Sequence, residues 1–307
     1  MQIARLHGIG DIRVTEEAAP KAEAGEVLLR VTAVGICGSD IHWFAEGTTG
    51  AAGFSEPFVL GHEFAAVVEE GELAGMRVAV EPHVACGACE FCAEGNPNLC
   101  PHHYFAGQAP QDGALRQYMA WPQEFLFPVP DTLSDGAAAM LEPLGVALHT
   151  VDLGKLKPGM RVGVYGCGPI GLLIVQLAKL SGAIEIVATD KLQHRLQAAE
   201  QMGATQFFQA DNGAETDLIM KATAGHGVDV AFEVAGDQSA VDTAVETVKP
   251  GSYTTACGKG YWGCKEDEPP VLEIIFDAIN FIAFESASSY YYWDTDKRKF
   301  VGIWISD

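Results

Sequence analysis

Basic residues are scarce in this chain. Its 307 residues hold 19 lysines and arginines against 41 acidic residues, a formal charge of −22. Nucleic acid and anionic membrane surfaces are bound through a basic footprint, so neither is expected as a partner. The acids are scattered, as in "TEEAAPKAEAGE" and "KEDEPP", and read as a solvated surface. Long apolar runs are missing too. The most apolar window, "PIGLLIVQLAKLSGAIEIVA", is interrupted by Gln176, Lys179 and Ser181, well short of the roughly 20 apolar residues that span a bilayer. No basic stretch followed by an apolar run opens the sequence, so no secretory signal is expected, and no internal repeat or low-complexity segment is present. Hydrophobic residues at 48% and charged residues at 20% are ordinary for a globular protein. The length suits two domains. The expectation is a soluble, cytoplasmic protein in a reducing compartment, where clustered cysteines serve as metal ligands rather than disulfides.

Four of the eight cysteines, Cys86, Cys89, Cys92 and Cys100, fall in "ACGACEFCAEGNPNLC". Thiolates are soft ligands, and four of them close a tetrahedral shell around zinc. Two-residue gaps let neighbouring sulfurs turn toward one point, and Gly87 eases the turn. An iron–sulfur cluster is one alternative; its ferredoxin run ends C-x3-C-P, whereas the last gap here is seven residues, although Pro101 follows Cys100. Free thiols are the other. Four cysteines leave no position for a substrate, so this lobe, residues 84–101, reads as structural.

Short Val-rich runs bounded by Gly and Pro, "EVLLRVTAVGI", "MRVAVEP", "GHEFAAVVEE" and "QYMAWP", read as strands, so residues 1 to about 130 are expected to be mostly β. At "PDTLSDGAAAMLEPLGVALHTV", Ser134 is the expected N-cap of an Ala-rich helix. Pro143 is expected to interrupt that helix, which puts Glu142 at the break. From Met160 onward strand-like and helix-like segments alternate, the rhythm of βαβ units and a parallel sheet.

Gly166, Gly168 and Gly171 form G-x-G-x-x-G in "YGCGPIG", after a predicted strand and at the start of a predicted helix, with Pro169 in its first turn. In that context the glycines make the turn, admit a pyrophosphate to the backbone and let helix and strand pack closely. Asp190 ends the next strand, 19 residues after Gly171. An acid there accepts ribose hydroxyls and repels a 2′-phosphate, which favours NAD over NADP.

Upstream, "GICGSDIHWF" carries Cys37, Ser39, Asp40, His42 and Trp43, and "GHEF" carries His62 and Glu63. Taken singly, each is more often a core residue. Together, Cys, His and Glu are the ligand types of an open zinc site. These two segments, the four-cysteine lobe, "EPLGVALH" and "GCGPIG", in this order, resemble the zinc-dependent alcohol dehydrogenases of the medium-chain dehydrogenase/reductase superfamily, and within them the sorbitol (L-iditol) and other polyol dehydrogenases. The resemblance covers residues 1 to about 258. It implies an α/β chain: an N-terminal GroES-like β-barrel domain at 1–148, a Rossmann domain with a doubly wound parallel sheet at 149–285 and an atypical tail at 286–307, with the active site in the cleft between the domains. It further implies a catalytic zinc on Cys37, His62 and Glu63, with Glu142 bound directly or through water and also near the substrate. Cys86, Cys89, Cys92 and Cys100 are implied to hold a structural zinc. Ser39 and His42 match a proton relay, Asp40 a group that orients His62, and Trp43 an aromatic residue near the substrate. Gly166, Gly168, Pro169, Ile170, Gly171, Asp190 and Arg195 match NAD contacts. The activity implied is hydride transfer from a secondary hydroxyl of a polyol to NAD by a dimer or tetramer. L-threonine 3-dehydrogenase and 2,3-butanediol dehydrogenase share the Cys, His and Glu pattern and are the alternatives.

After Gly258 the sequence departs from the family. No arginine lies between Gly258 and Lys297, where polyol dehydrogenases carry one that holds substrate hydroxyls, and the end "VGIWISD" offers no return to the first domain. An atypical or truncated C-terminus is expected, from a shifted reading frame or from divergence. A zinc- and NAD-binding homologue impaired in catalysis is therefore a further alternative.

Overall fold

A computed structural model describes residues 1–49, 52–256, 290–294 and 299–303. Chain contacts divide it into two compact units at Pro143/Leu144, five residues before the boundary expected at 148/149. The C-terminal readings, the missing arginine and the boundary at 285/286, lie outside the described residues.

In the first unit, strands form where β-branched residues alternate with polar ones. Glu26–Val34 buries Val27 and Leu29 and exposes Arg30. It is flanked by Tyr118–Pro122 and Phe64–Val68, followed by Arg77–Val80 and Leu126–Pro128, in one five-stranded antiparallel sheet. Its core holds Leu29, Phe64, Val78, Met119 and Trp121. Asp11–Glu16, Gln2–Gly8 and Phe58–Val59 form a smaller sheet. The pairing of Glu26–Val34 with Phe64–Val68 shifts register between Val31 and Ala33. A bulge of this kind re-aims the end of a strand. Past it, Val34 stands opposite Phe64 and the Gly35 N–H donates to the Glu63 carbonyl at 2.6 Å. The chain then enters helix Gly38–Glu46, whose N-cap is Cys37 and whose C-cap is Gly47 in the left-handed region.

Ser134 caps the expected helix, its Oγ accepting the Ala137 N–H at 3.2 Å. The break is elsewhere than expected. Asp135–Ala139 ends before Met140, and a second helix, Leu141–Leu153, carries Glu142 and Pro143 in its first turn. A proline there lacks only an N–H that has no intrahelical partner anyway, so Pro143 opens a helix rather than closing one.

The second unit is a five-stranded parallel sheet in the order Gln206–Gln209, Glu185–Asp190, Arg161–Tyr165, Val228–Glu233, Val248–Ala256. Helices Pro169–Leu180, Gln193–Met202, Glu215–Ala222 and Gln238–Thr247 connect the strands. Sequence order 3-2-1-4-5 places the switch point at the C-terminal ends of Arg161–Tyr165 and Val228–Glu233, where open α/β sheets bind ligands. Strands Tyr290–Asp294 and Lys299–Ile303 pair with each other, antiparallel. Among the described residues no helix is long and apolar enough to cross a membrane.

Trp121 tests the first core. It is 1% exposed, and its indole N–H donates to the Glu81 carbonyl at 2.9 Å. Trp121→Ala is expected to cost about 3–5 kcal/mol, read as a lower denaturant midpoint for the first unit, with secondary structure kept in the absence of denaturant.

Candidate active site

The bulged strand and the turn at 61–63 bring Cys37, His62 and Glu63 together. All three are buried, and one ligand atom from each lies within 4.8 Å of the others. Asp40, at the third position of the helix, fixes this arrangement. Its Oδ2 accepts the Cys37 N–H and its Oδ1 the Gly61 N–H, both at 2.9 Å, while Oδ1 lies 4.0 Å from His62 Nδ1. The orienting role expected of Asp40 is thus exerted mainly through the backbone. Gly61 has φ +94°, and its peptide packs against Gly107 and Gly113; a Cβ on Gly113 would lie 2.3 Å from the Gly61 carbonyl oxygen. These glycines, adjacent in space and not in sequence, let the His62 segment settle against a neighbouring loop.

The electrostatics suit a cation. Burial, then Asp40, pushes the Glu63 carboxyl up to about 7. Burial likewise raises Cys37, helped by the charges of Glu63, Asp40 and Glu142, and raises Asp40. Burial lowers His62, so its imidazole is neutral. Among the described residues neither Asp40 nor Glu63 pairs with a lysine or arginine, and His62 Nε2 is buried with no hydrogen-bond partner. A thiol, a neutral imidazole nitrogen and a carboxylate, converging where negative charge is costly, fit one zinc ion. Glu142, with both carboxylate oxygens inaccessible to solvent, acts on Cys37 by charge but lies outside that group of three.

Ser39 and His42 lie three apart on helix Gly38–Glu46, hence on one face, and both are buried. His42 Nδ1 is 3.0 Å from Glu46 Oε1, and Glu46 is 47% exposed. Sequence reading missed Glu46; the signal was the i, i+4 spacing from His42. Trp43 is packed in the core of the first unit. Its ring is 2% exposed, edge-on to Phe54 and Phe58, in a cluster with Leu6 and Leu60. Those contacts make it a core residue that anchors the helix.

The four-cysteine lobe forms a second group, all four sulfurs within 4.8 Å of one another. Cys100 Sγ accepts the N–H groups of Cys86 and His102 at 3.3 and 3.4 Å. The amides of Ala88 and Cys89, then Cys100, bring Cys86 down to about 6. Amides aimed at sulfur stabilise thiolate, and four sulfurs converging on a point fit tetrahedral zinc.

In the second unit, Gly166 makes the turn at φ +110°, and a Cβ on Gly171 would lie 1.9 Å from its carbonyl oxygen. Gly168 caps helix Pro169–Leu180, and a Cβ on it would meet nothing within 4 Å. That open space at a helix N-terminus suits a pyrophosphate. Asp190 is buried; its Oδ2 accepts the Cys167 N–H and its Oδ1 the Leu192 N–H, both at 2.8 Å. Each oxygen keeps a further lone pair for a ribose hydroxyl. Arg195 Nη1 lies 3.6 Å from Asp190, and Ile170 is buried in the first turn.

Comparison with known proteins identifies the family. Residues 23–131 match the alcohol dehydrogenase GroES-like domain and residues 169–293 the zinc-binding dehydrogenase family. The chain is 40% identical over 269 residues to sorbitol dehydrogenase of Bacillus subtilis, covering 84% of this chain and 75% of that protein. It is 36% identical over 266 residues to probable D-xylulose reductase A of Emericella nidulans, covering 83% and 74%. The crystal structure of L-idonate 5-dehydrogenase from Escherichia coli superposes with a TM-score of 0.78 at 34% identity, covering 87% of this chain and 78% of that one. The expected pairing of a GroES-like domain with a Rossmann domain is borne out.

Asp40→Ala would strand two buried amide donors, each at a cost of about 1–3 kcal/mol. The thermal midpoint should fall, and by a similar amount with and without chelator, because the lost bonds are to backbone. A fall that disappears in chelator would mean that Asp40 acts only through the metal.

Proposed function

The chain belongs to the zinc-binding dehydrogenase family, and we propose that it oxidises a secondary hydroxyl of a polyol to a ketone. As a member of that family it is an oxidoreductase whose cofactors are zinc and a nicotinamide dinucleotide. The buried Cys37, His62 and Glu63 group, with the partnerless Nε2 of His62, carries the reading.

Zinc, when bound, supplies the Lewis acidity that lowers the pKa of the substrate hydroxyl, and NAD supplies the hydride acceptor. Cys37, His62 and Glu63 hold the catalytic ion, with Glu142 close enough to add its charge. A carboxylate at position 142 can also accept a hydrogen bond from a second substrate hydroxyl, which suits a polyol better than a simple alcohol. The proton leaves through groups on one helix: Ser39 takes it from the substrate hydroxyl, His42 carries it, and half-exposed Glu46 passes it to water. Gly166, Gly168, Pro169, Ile170 and Gly171 receive the pyrophosphate, and Asp190, with Arg195 beside it, takes the ribose and favours NAD over NADP. Cys86, Cys89, Cys92 and Cys100 hold the structural ion, whose binding contributes folding free energy. The resemblance to polyol dehydrogenases supports a cytoplasmic homo-oligomer, dimer or tetramer, and reduced thiols suit that compartment.

L-threonine and 2,3-butanediol are the substrates of the rival readings, and an impaired homologue is the third. NADH formation should appear with sorbitol or xylitol and vanish with chelator. Turnover confined to threonine or butanediol would reassign the substrate; NAD binding without turnover on all four would favour the impaired homologue.

Two substitutions separate the metal sites. Glu63→Ala should lower zinc from two ions per chain to one, with the fold kept. Cys89→Ser should lower the thermal midpoint, with activity lost along with the fold. A fully stable Cys89→Ser protein without activity would place chemistry at the lobe instead.

A further inference from the structure

Outside the ligands themselves, one position stands against the candidate catalytic site in a way the chemistry above does not use. Gly35 follows the bulged strand and precedes Cys37 by two residues. Its N–H donates to the Glu63 carbonyl at 2.6 Å, so the two residues face each other across the end of the sheet. A Cβ on Gly35 would lie 2.1 Å from Glu63 Oε2, 2.9 Å from Glu63 Cβ and 3.1 Å from Glu63 Cδ. Its three nearest neighbours all belong to that one side chain. The Glu63 carboxylate therefore occupies the volume that any side chain at position 35 would fill.

The backbone does not ask for glycine here. Gly35 is absent from the positive-φ residues, so its conformation is open to any L-amino acid, and no backbone atom is among the three nearest obstacles. Gly113 and Gly171 differ, since an added Cβ there meets carbonyl oxygens and would disturb the chain itself. At Gly35 the requirement comes from a functional side chain alone.

We propose that Gly35 is a positioning residue for the metal site: it leaves the space in which the Glu63 carboxylate is held beside Cys37 and His62. The proposal rests on the reading of Glu63 as a zinc ligand. Its size follows from contact distances. Moving Oε2 from 2.1 Å to an ordinary contact of about 3.5 Å needs a shift on the order of 1 Å, whereas a metal–ligand bond tolerates about 0.2 Å. Because Glu63 Cβ is crowded as well, rotating the tip of the side chain is no escape. A methyl group at position 35 thus removes a ligand that it never touches in the native protein.

The test is the zinc content of purified Gly35→Ala, with Gly8→Ala as control, since a Cβ on Gly8 meets nothing within 4 Å. Gly35→Ala should hold one zinc per chain instead of two and, after cobalt substitution, lack the d–d absorption of the open site, with NAD affinity unchanged. Gly8→Ala should match wild type in all three. If Gly35→Ala keeps both ions and the native cobalt spectrum while Glu63→Ala loses one, the positioning role is wrong and the ligand reading stands. If Glu63→Ala itself keeps both ions, the ligand reading fails and takes this proposal with it. Should Gly35→Ala not fold, the double variant Gly35→Ala/Glu63→Gly decides: recovered folding supports the steric link, and continued misfolding overturns it.

Discussion

One carboxylate ties the candidate metal ligands of the first unit together. Cys37 and His62 are far apart in sequence, and no local propensity brings them to one place. Asp40 does so by accepting the backbone N–H groups of Cys37 and Gly61 at 2.9 Å each. Both bonds are charge-assisted and buried, where such bonds are strongest and most costly to lose. Because they end on backbone rather than on ligand side chains, they set the separation of the two segments whether or not an ion is bound. The rest of the site follows from that: the bulge turns the strand, the helix starts at Cys37, and Gly61 presents His62 and Glu63 to the same point.

The two candidate metal sites differ in burial as well as in ligand type: Cys37, His62 and Glu63 are all buried, whereas of the four lobe cysteines only Cys100 is. At the four-cysteine lobe, amides aimed at sulfur lower Cys86 to about 6, whereas burial and then the neighbouring Cys89 push Cys92 up to about 12. At the inner group, burial raises Cys37 and pushes Glu63 up to about 7. Those groups resist ionisation until a cation offsets their charge, so filling the inner site is tied to proton release. A site whose thiol and carboxyl ionise only at a cost concentrates a demand for positive charge on one point. A Lewis acid is most effective in such a place.

Much of this was legible in the sequence because it is local. Val-rich runs, the βαβ rhythm, the Ser134 cap, the glycine turn and the four-cysteine spacing are short-range patterns, and the structure has elements where each of them pointed. What was misread depended on context. Pro143 looked like a helix breaker, but a proline is harmless in a first turn, and only the position of Met140 shows which turn it occupies. The packing of Trp43 was not legible either, because its partners Phe54, Phe58 and Leu6 come from other segments. Gly35 and Gly61 raised no signal, since they are needed only for what lies across the sheet or loop, and Glu46 was missed although it stands one turn from His42.

The glycines sharpen this last point, because the cause of each can be read from what an added Cβ would strike. At Gly171 and Gly113 it strikes backbone, so the fold itself forbids a side chain whatever the protein does. At Gly35 it strikes a side chain of the site. At Gly168 it strikes nothing within 4 Å, and the residue has φ −70°, a value open to every amino acid. Neither packing nor conformation in the protein alone explains glycine at that helix N-terminus. The proposed pyrophosphate would supply a reason, since it would come closer to the Gly168 backbone than a methyl group permits and meet the positive end of the helix dipole. Gly8 shares that open surrounding, so it is the motif and the helix N-terminus together, and not the empty space alone, that single out Gly168.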